Sequence, residues 1–184
     1  MALTESNMMA LNTKAPEFRL INTLDDTYYS LKDLASDQAT VIIFSCNHCP
    51  YVIHINEKLV EISNKYQKLG VSFIAISSND VEKYPQDAPD KMKALAEDVG
   101  YTFPYLYDED QTVARSYDAA CTPDIYLFDG QLKLKYRGRF CASRPNSEIE
   151  VTGEDLTAAI DAVISKKDPD SRQYPSAGCN IKWK

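Results

Sequence analysis

The chain of 184 residues lacks long apolar runs, and none approaches the roughly 20 residues that span a bilayer. It is also short of positive charge: 20 Lys and Arg residues stand against 27 Asp and Glu residues, a formal net charge of -7. A field of that sign repels phosphate backbones and anionic lipids, so we expect neither nucleic acid nor membrane partners. The polar segment 1–15 has no basic start or apolar centre of a signal peptide, which favours a cytoplasmic protein.

Glycine is scarce as well, with six residues, so the chain is not a low-complexity or collagen-like sequence. Its length, with no internal repeat and no dividing linker, predicts one domain over residues 1–184. We expect residues 167–184 to form a tail that docks on the rest of this domain. The only tryptophan, Trp183, lies in that tail and indicates that the tail is packed.

The number of cysteines is odd, which argues against a disulfide-stapled scaffold in a chain without an export signal. The five cysteines are Cys46, Cys49, Cys121, Cys141 and Cys179. Only Cys46 and Cys49 are separated by two residues. In a reducing compartment this spacing is typical of redox chemistry or metal binding, so we expect the function to depend on this pair.

The segment around the cysteine pair has the pattern of a βαβ unit. Residues 40–44 and 71–76 are short apolar runs typical of strands buried on both faces. Between them, apolar residues recur in steps of three and four, which predicts a helix that stops at Gly70. The predicted apolar stripe consists of Val52, Ile55, Leu59, Ile62, Tyr66 and Leu69. The two strands should therefore be parallel, with a right-handed crossover.

The rest of the chain predicts a mixed sheet with helices on both faces. Further short strands and helices are predicted at residues 18–21, 27–31, 89–99, 103–107, 111–117 and 152–163. Asp129-Gly130, between two apolar runs, predicts a β-hairpin with a tight two-residue turn. Thr152 and Asp155 have the spacing of a capping box at the start of the last helix. The order of elements predicts an α/β fold, a three-layer sandwich.

Cys46 and Cys49 are expected to form a reactive dithiol. The strand-to-helix junction places Cys46 at or just before the helix N-terminus, where the unsatisfied N–H groups and the helix dipole stabilise a thiolate. Cys49 should lie one turn into the helix, within disulfide reach. In this interpretation Cys46 attacks a partner disulfide, and Cys49 then resolves the mixed disulfide.

His48 stands between the two cysteines. As an imidazolium it would lower the pKa of Cys46 and make the disulfide more oxidising. The alternative is that His48 points into solvent and only terminates the helix. The group that takes the proton of Cys49 stays open at this point, and His48, His54 and Glu57 are the candidates.

Strand, CxxC and helix together resemble the thioredoxin superfamily. Thr122-Pro123 resembles the cis-proline segment of that family, which packs against the CxxC and pairs with the substrate chain. Residues 15–18 and 30–34 are similar to the start of redoxin (AhpC/TSA-type) domains, and residues 178–183 to the tail of bacterial peroxiredoxin-like proteins. The resemblance implies a thioredoxin-like sandwich with an N-terminal β-hairpin extension, a docked C-terminal tail and a substrate groove at Thr122 and Pro123.

Two departures limit what the resemblance implies. The peroxiredoxin motif Pro-x-x-x-Thr/Ser-x-x-Cys is absent: counted back from Cys46, its hydroxyl and proline positions hold Ile43 and Ala39. Thioredoxin usually has tryptophan before its first cysteine and a buried acid six residues before it. This chain has Ser45 and Thr40 at those positions.

The sequence therefore predicts a thiol-disulfide oxidoreductase that needs no cofactor. Its partners would be protein or small-molecule disulfides and a thiol reductant. One alternative is a thiol peroxidase with peroxiredoxin-like antioxidant activity, and another is a redox-inert binding module with structural or zinc-bound thiols. Zinc is disfavoured because no second CxxC or HxxxH is present.

The other three cysteines and two arginines have candidate roles of their own. Cys121 and Cys179 are candidates for additional redox thiols, and a small buried side chain or a structural motif is the alternative for each. Cys141 is interpreted as a bystander. Arg139 and Arg144 follow a strand in a region where peroxiredoxins keep an arginine near the thiolate, and we interpret both as surface residues.

Overall fold

The computed structural model describes residues 3–184, which form ten strands and five helices. The strands are β1 (Leu3–Glu5), β2 (Arg19–Asn22), β3 (Thr27–Ser30), β4 (Ala39–Phe44), β5 (Val71–Ser77), β6 (Tyr105–Tyr107), β7 (Cys121–Thr122), β8 (Asp124–Asp129), β9 (Leu134–Gly138) and β10 (Ala177–Asn180). The helices are α1 (Leu31–Leu34), α2 (Pro50–Gln67), α3 (Pro89–Val99), α4 (Thr112–Ser116) and α5 (Glu154–Ile164). Within these described residues, no helix has the length and apolar character that a membrane crossing requires.

Seven strands form a central mixed sheet in the order β3-β2-β6-β5-β4-β8-β9. Strand β5 pairs in parallel with β4 and β6, and the other neighbours in this sheet are antiparallel. The predicted βαβ unit is confirmed, because β4 and β5 are parallel and α2 connects them. The N-terminal hairpin β2–β3 extends the sheet at one edge.

Helices cover both faces of this sheet, and the alternation of side chains along β4 defines the two cores. Val41 and Ile43 pack in the core that contains residues of α2, α3 and α5. Ile42 and Phe44 pack in the core that contains residues of α1 and α4. Successive strand residues point to opposite faces, so a strand covered on both sides is apolar throughout. The predicted three-layer α/β sandwich is confirmed.

Three local predictions are wrong. Helix α2 ends at Gln67, so Leu69 lies beyond it and is 52% exposed. The β8–β9 connection is a three-residue loop, 130–132, rather than a tight two-residue turn, because Asp129 Oδ1 accepts the N–H groups of Gln131 and Lys133. Its left-handed residue is Leu132, with a φ of 59°. The N-cap of α5 is Gly153 without a side-chain bond, so Thr152 and Asp155 form no capping box.

The tail forms a second sheet beside the central one. Strand β10 pairs antiparallel with β1 on one side and with β7 on the other, and Cys179 lies opposite Thr122. Gly178 is required here, since a Cβ at that position would lie 2.0 Å from the Thr122 carbonyl oxygen. Beyond the strand, Ile181 is buried in the core, and the Arg115 guanidinium lies 4.4 Å above the Trp183 ring.

Candidate active site

Cys46 and Cys49 lie on the short connection between β4 and α2. The Ser45 N–H donates to the Ile76 carbonyl 2.8 Å away, which holds the start of this connection against β5. Helix α2 begins at Pro50, and Cys49 is its N-cap with extended backbone angles. The prediction that Cys49 lies one turn into the helix is therefore wrong. The reason is Pro50, which suits the first helical position and disfavours a helical conformation in the residue before it.

Thr122 contacts both sulfur atoms. The Thr122–Pro123 peptide bond is cis, as the sequence predicts. The Cys49 thiol donates to the Thr122 carbonyl oxygen at 3.1 Å, and the Cys46 sulfur lies 3.4 Å from Thr122 Oγ1. A single residue beside the proline thus offers an acceptor to one thiol and a hydroxyl to the other.

The other edge of this segment is covered by the tail. Strand β10 pairs with β7 so that Cys179 lies opposite Thr122. Cys46, Cys49, Val52 and Cys179 pack as one buried cluster. The edge of Thr122 that the resemblance implies for a substrate chain is therefore occupied by a strand of the protein itself.

The two thiols of the CxxC pair ionise very differently. Hydrogen bonds that Cys49 receives from Cys46 and from Cys179 lower its pKa to about 4, against the opposing effect of burial. The same bond to Cys49, together with burial and the nearby Asp87 carboxylate, raises the pKa of Cys46. The sequence predicts the charge on Cys46, whereas these contacts favour it on Cys49. These opposite directions favour a pair that shares one proton.

His48 is held by a buried carboxylate. Its Nδ1 lies 2.7 Å from Asp87 Oδ2, and its ring stacks on Tyr84 with 5.7 Å between centroids. Asp87 is fully buried and also accepts hydrogen bonds from the Asn47 backbone N–H and the Asn79 side chain, both at 2.8 Å. His48 is therefore oriented by the protein and does not simply point into solvent.

Within residues 3–184, only Cys46, His48 and Asp87 lie close enough together to hold a metal ion. Ligand atoms of Cys46, His48 and Asp87 lie within 4.8 Å of one another. A structural zinc site takes four ligands in a closed tetrahedral arrangement. Cys46, His48 and Asp87 supply three ligand atoms, one fewer than such a site takes, and the Asp87 oxygens also accept hydrogen bonds from Asn47 and Asn79.

The other predicted candidates lie elsewhere or are inert. His54 Nε2 contacts Ser143 Oγ at 2.8 Å, and Glu57 is exposed. Arg139 pairs with Asp155 at 2.7 Å, and Arg144 is exposed. His54, Arg139 and Arg144 instead line a small pocket beside Pro123.

Cys121 and Cys141 are both buried. Burial and the neighbouring Asp124 carboxylate raise the pKa of the Cys121 thiol, which keeps it protonated. A protonated thiol is a poor nucleophile, so neither ionisation nor exposure favours reaction at Cys121. Cys141 lines a small pocket together with His54 and Pro123, and neither Cys46 nor Cys49 lines this pocket.

Asp87 is the site residue that the sequence analysis does not find. It lies in the polar segment between β5 and α3, which the composition marks as a surface excursion. The 3₁₀ turn Pro85–Asp87 brings the carboxylate back to the Cys46–Cys49 connection. A single aspartate 41 positions after the first cysteine carries no local signal, and only the paired prolines at 85 and 89 indicate an ordered turn.

The family follows from a comparison that spans the CxxC pair and the cis-proline segment. The model of the AhpC/TSA family matches residues 11–137, which include the cysteine pair, Asp87 and Thr122-Pro123. The chain belongs to the AhpC/TSA family. The predicted relationship to redoxins is thereby confirmed. The position of the CxxC pair beside the cis-proline segment agrees with this family.

Solved structures agree with this assignment. An uncharacterized conserved protein from Geobacillus kaustophilus is 54% identical, with a TM-score of 0.98 over 100% of this chain and 97% of that one. A hypothetical protein from Sinorhizobium meliloti 1021 is 40% identical, with a TM-score of 0.96 over 98% of both chains. The thioredoxin domain of a Bacteroides vulgatus thiol-disulfide oxidoreductase is 16% identical, with a TM-score of 0.63 over 82% of this chain and 97% of that one.

Peroxiredoxins are also among the similar structures, at identities that show the fold alone. The fold is therefore thioredoxin-like, as predicted. A comparison with curated proteins gives no match.

Proposed function

We propose that this redoxin is a thiol-disulfide oxidoreductase that works through Cys46 and Cys49. The observation that carries the proposal is the pair itself: two buried thiols joined by a hydrogen bond, both in contact with Thr122. Buried thiols in an inert core have raised pKa values, whereas the pKa of Cys49 is lowered. A site that holds a thiolate at neutral pH is prepared for exchange.

The nucleophile in this proposal is Cys46. The charge rests on Cys49 until the shared proton moves from Cys46 to Cys49 along their hydrogen bond. The Thr122 hydroxyl can then donate to the Cys46 thiolate, and the Cys49 thiol to the Thr122 carbonyl oxygen, over the distances of 3.4 and 3.1 Å. Thr122 therefore supports the charge on Cys46 without further rearrangement.

Exchange then proceeds in two displacements. The Cys46 thiolate attacks one sulfur of a substrate disulfide, an S–S bond forms between them, and the other substrate sulfur leaves as a thiolate. Cys49 loses its proton and attacks Cys46, and the second substrate sulfur leaves. The substrate is reduced by two electrons and the protein holds a Cys46–Cys49 disulfide. A thiol reductant reverses these steps and restores the dithiol.

His48 is proposed to move the protons. One of its ring nitrogens lies within 4.8 Å of the Cys46 sulfur, and Asp87 holds the ring through Nδ1. A histidine oriented by a buried carboxylate can give a proton to a leaving thiolate and take one from an attacking thiol. His54, 2.8 Å from Ser143 Oγ and outside the cysteine cluster, has no such position.

The substrate class is a protein or small-molecule disulfide, with a cellular thiol as electron donor. Both sulfurs are buried, with Cys46 1% exposed and Cys49 fully covered. A substrate sulfur therefore reaches Cys46 only when the surrounding side chains move. This requirement favours slow, selective exchange over indiscriminate reaction with any disulfide.

A single-turnover reaction tests the proposal. The reduced protein is mixed with an excess of a fluorescent peptide dimer joined by a disulfide, and peptide release and protein mass are followed together. The wild type should release peptide and end as an intramolecular disulfide, whereas Cys49→Ser should stop as a mixed disulfide at Cys46. Cys46→Ser should release peptide much more slowly than the wild type, because only the buried Cys49 and Cys179 remain at the site. The matched control Cys141→Ser should react like the wild type.

Two outcomes would overturn the proposal. In the first, Cys46→Ser releases peptide at the wild-type rate. In the second, the peptide disulfide is ignored while hydrogen peroxide oxidises Cys46 rapidly. The second outcome would favour peroxidase activity. Peroxidase is the alternative to test because peroxiredoxins are among the solved structures of similar fold.

A further inference from the structure

Cys179 is held firmly against the proposed exchange site. Strand β10 is hydrogen-bonded on both edges, and its pairing places Cys179 opposite Thr122. The chain after the strand is fixed as well: the Ile181 N–H donates to the Ala120 carbonyl at 3.1 Å, and the Lys182 N–H to Asn79 Oδ1 at 2.9 Å. The position of the Cys179 sulfur is thus determined by the backbone around it.

The Cys179 side chain contacts the cysteines of the CxxC pair. Cys179 packs in one buried cluster with Cys46 and Cys49. Both its thiol and its backbone N–H are hydrogen-bonded to Cys49. Cys49 therefore lies between two thiols, with a hydrogen bond to each of them. A residue that only filled space in this cluster would need no polar contact with a thiolate.

Ionisation of Cys179 depends on the state of Cys49. Burial and the hydrogen bond to Cys49 raise the pKa of Cys179 to about 12, so Cys179 is a thiol while the dithiol is reduced. Once Cys49 is bonded to Cys46 in a disulfide, its sulfur carries no charge, and this stabilisation of the protonated Cys179 is removed. Oxidation of the pair thus makes Cys179 easier to ionise.

We propose that Cys179 is a third redox thiol that exchanges with the Cys46–Cys49 disulfide. The Cys179 thiolate attacks the Cys49 sulfur, the Cys49–Cys179 bond forms, the Cys46–Cys49 bond breaks, and Cys46 leaves as a thiolate. The proton lost by Cys179 balances the one that Cys46 takes up when it is protonated. No electrons are gained or lost in this step, so no oxidant is needed beyond the substrate disulfide.

This inference rests on the proposed function, because the substrate disulfide is the source of the first protein disulfide. The exchange returns Cys46 to its reduced state while the oxidising equivalents are stored in a Cys49–Cys179 bond. The tail would then be covalently attached to the active site of the oxidised protein.

The test uses a protein without Cys46. Reduced Cys46→Ser is oxidised with glutathione disulfide, quenched with acid, alkylated, and mapped by digestion and mass spectrometry. A Cys49–Cys179 disulfide is expected, since the first glutathione adduct on either thiol is displaced by the other. Cys46→Ser with Cys179→Ala should keep glutathione bound at Cys49, and Cys46→Ser with Cys141→Ser should behave like Cys46→Ser. A Cys46→Ser protein that retains only glutathione adducts would overturn the proposal.

Single variants separate this proposal from the function on which it rests. Cys179→Ala loses the thiol hydrogen bond to Cys49, so it should reduce the peptide disulfide more slowly than the wild type, but its product should still be the Cys46–Cys49 disulfide. If it does, and Cys46→Ser forms no Cys49–Cys179 bond, the third thiol is refuted and the proposed function stands. If neither the wild type nor Cys179→Ala forms Cys46–Cys49, the proposed function itself fails. Circular dichroism of each variant establishes that folded proteins are compared.

Discussion

Two buried polar sites flank Pro123, and they differ in what their charges do. On one side, Thr122 contacts the thiols of Cys46 and Cys49. On the other side, Asp124 pairs with Arg137 at 3.5 Å, and both side chains are fully buried. The first site shares one proton between two sulfurs, while the second holds a fixed pair of opposite charges. In the proposed function, adjacent residues of one segment thus serve chemistry and stability separately.

The electrostatics of the second site show why it must stay paired. Burial raises the pKa of Asp124 to about 6, although Arg137 acts in the opposite direction. Arg137 also donates to the Asp118 carbonyl at 2.7 Å, and its guanidinium lies 4.8 Å from the Tyr126 ring centroid. A buried charge that loses its partner is strongly destabilising, whereas a thiol can gain or lose its proton in place.

The largest effect expected from this comparison is on the pH at which a thiolate appears. The thiolate absorbance near 240 nm of the reduced protein should rise in a step around pH 4, because the pKa of Cys49 is lowered to about 4. Ionisation of Cys49 therefore stabilises the fold: the contribution is full above the pKa of an unfolded thiol, roughly 8.5, and is lost as pH falls through about 4. The step should be absent in Cys49→Ser. A wild type without thiolate absorbance below pH 8 would contradict this.

The next effect is on stability alone. Arg137→Met leaves the Asp124 carboxyl buried without its partner and should reduce the free energy of unfolding by about 3–5 kcal/mol. Arg139→Met is the matched control: the Arg139–Asp155 pair is partly exposed, so its loss should cost less than about 1 kcal/mol. Urea denaturation of the reduced proteins measures both. Equal losses in the two variants would show that burial does not distinguish these pairs.

A smaller effect is expected at the proton-transfer group. His48→Asn should slow exchange with the peptide disulfide by about 100-fold, because a positioned general acid and base is lost. His54→Asn, the control on the same segment, should stay within about twofold of the wild type. The pH profile of the rate should flatten only in His48→Asn. Similar rates for the two variants would remove His48 from the mechanism.

The smallest effect concerns the Thr122 hydroxyl. Thr122→Val keeps the shape and the backbone carbonyl but removes the donor 3.4 Å from the Cys46 sulfur. Exchange should slow roughly fivefold, which corresponds to about 1 kcal/mol for one hydrogen bond. Thr122→Ser should restore most of the rate, and the stability of both variants should remain close to that of the wild type. A Thr122→Val protein with the wild-type rate would exclude support from the hydroxyl.

Some features of the two sites could be predicted from the sequence, and others could not. Strand β4 and the helix after the cysteine pair depend on residues close together in the chain, and local patterns predict them, although α2 begins one turn later than predicted. The cis bond at Pro123 follows from the family resemblance. Asp87 and Arg137 could not be predicted, because each is buried against a partner supplied by another element. Arg137 lies across from Tyr126 in the β8–β9 pair, so only the strand register brings it to Asp124.

Cys179 is intermediate between these cases. Its motif marks the tail as packed, and the sequence analysis names it as a candidate thiol. Its contact with Cys49 depends on the register of β10 against β7, over 130 residues from the CxxC pair. The hydrogen bond from Cys46 is the largest cause of the lowered pKa of Cys49, and Cys179 adds two further hydrogen bonds that depend on the register of β10.

A redox titration with assignment of every cysteine tests the central claim most directly. The protein is equilibrated in glutathione buffers of graded potential, quenched, alkylated and mapped. The account predicts one two-electron step in which Cys49 is lost to alkylation with Cys46 as its partner, or with Cys179 in the fraction that has exchanged, while Cys121 and Cys141 remain alkylated throughout. Oxidation that leaves Cys49 open to alkylation, or that joins Cys46 to Cys121 or Cys141, would contradict it.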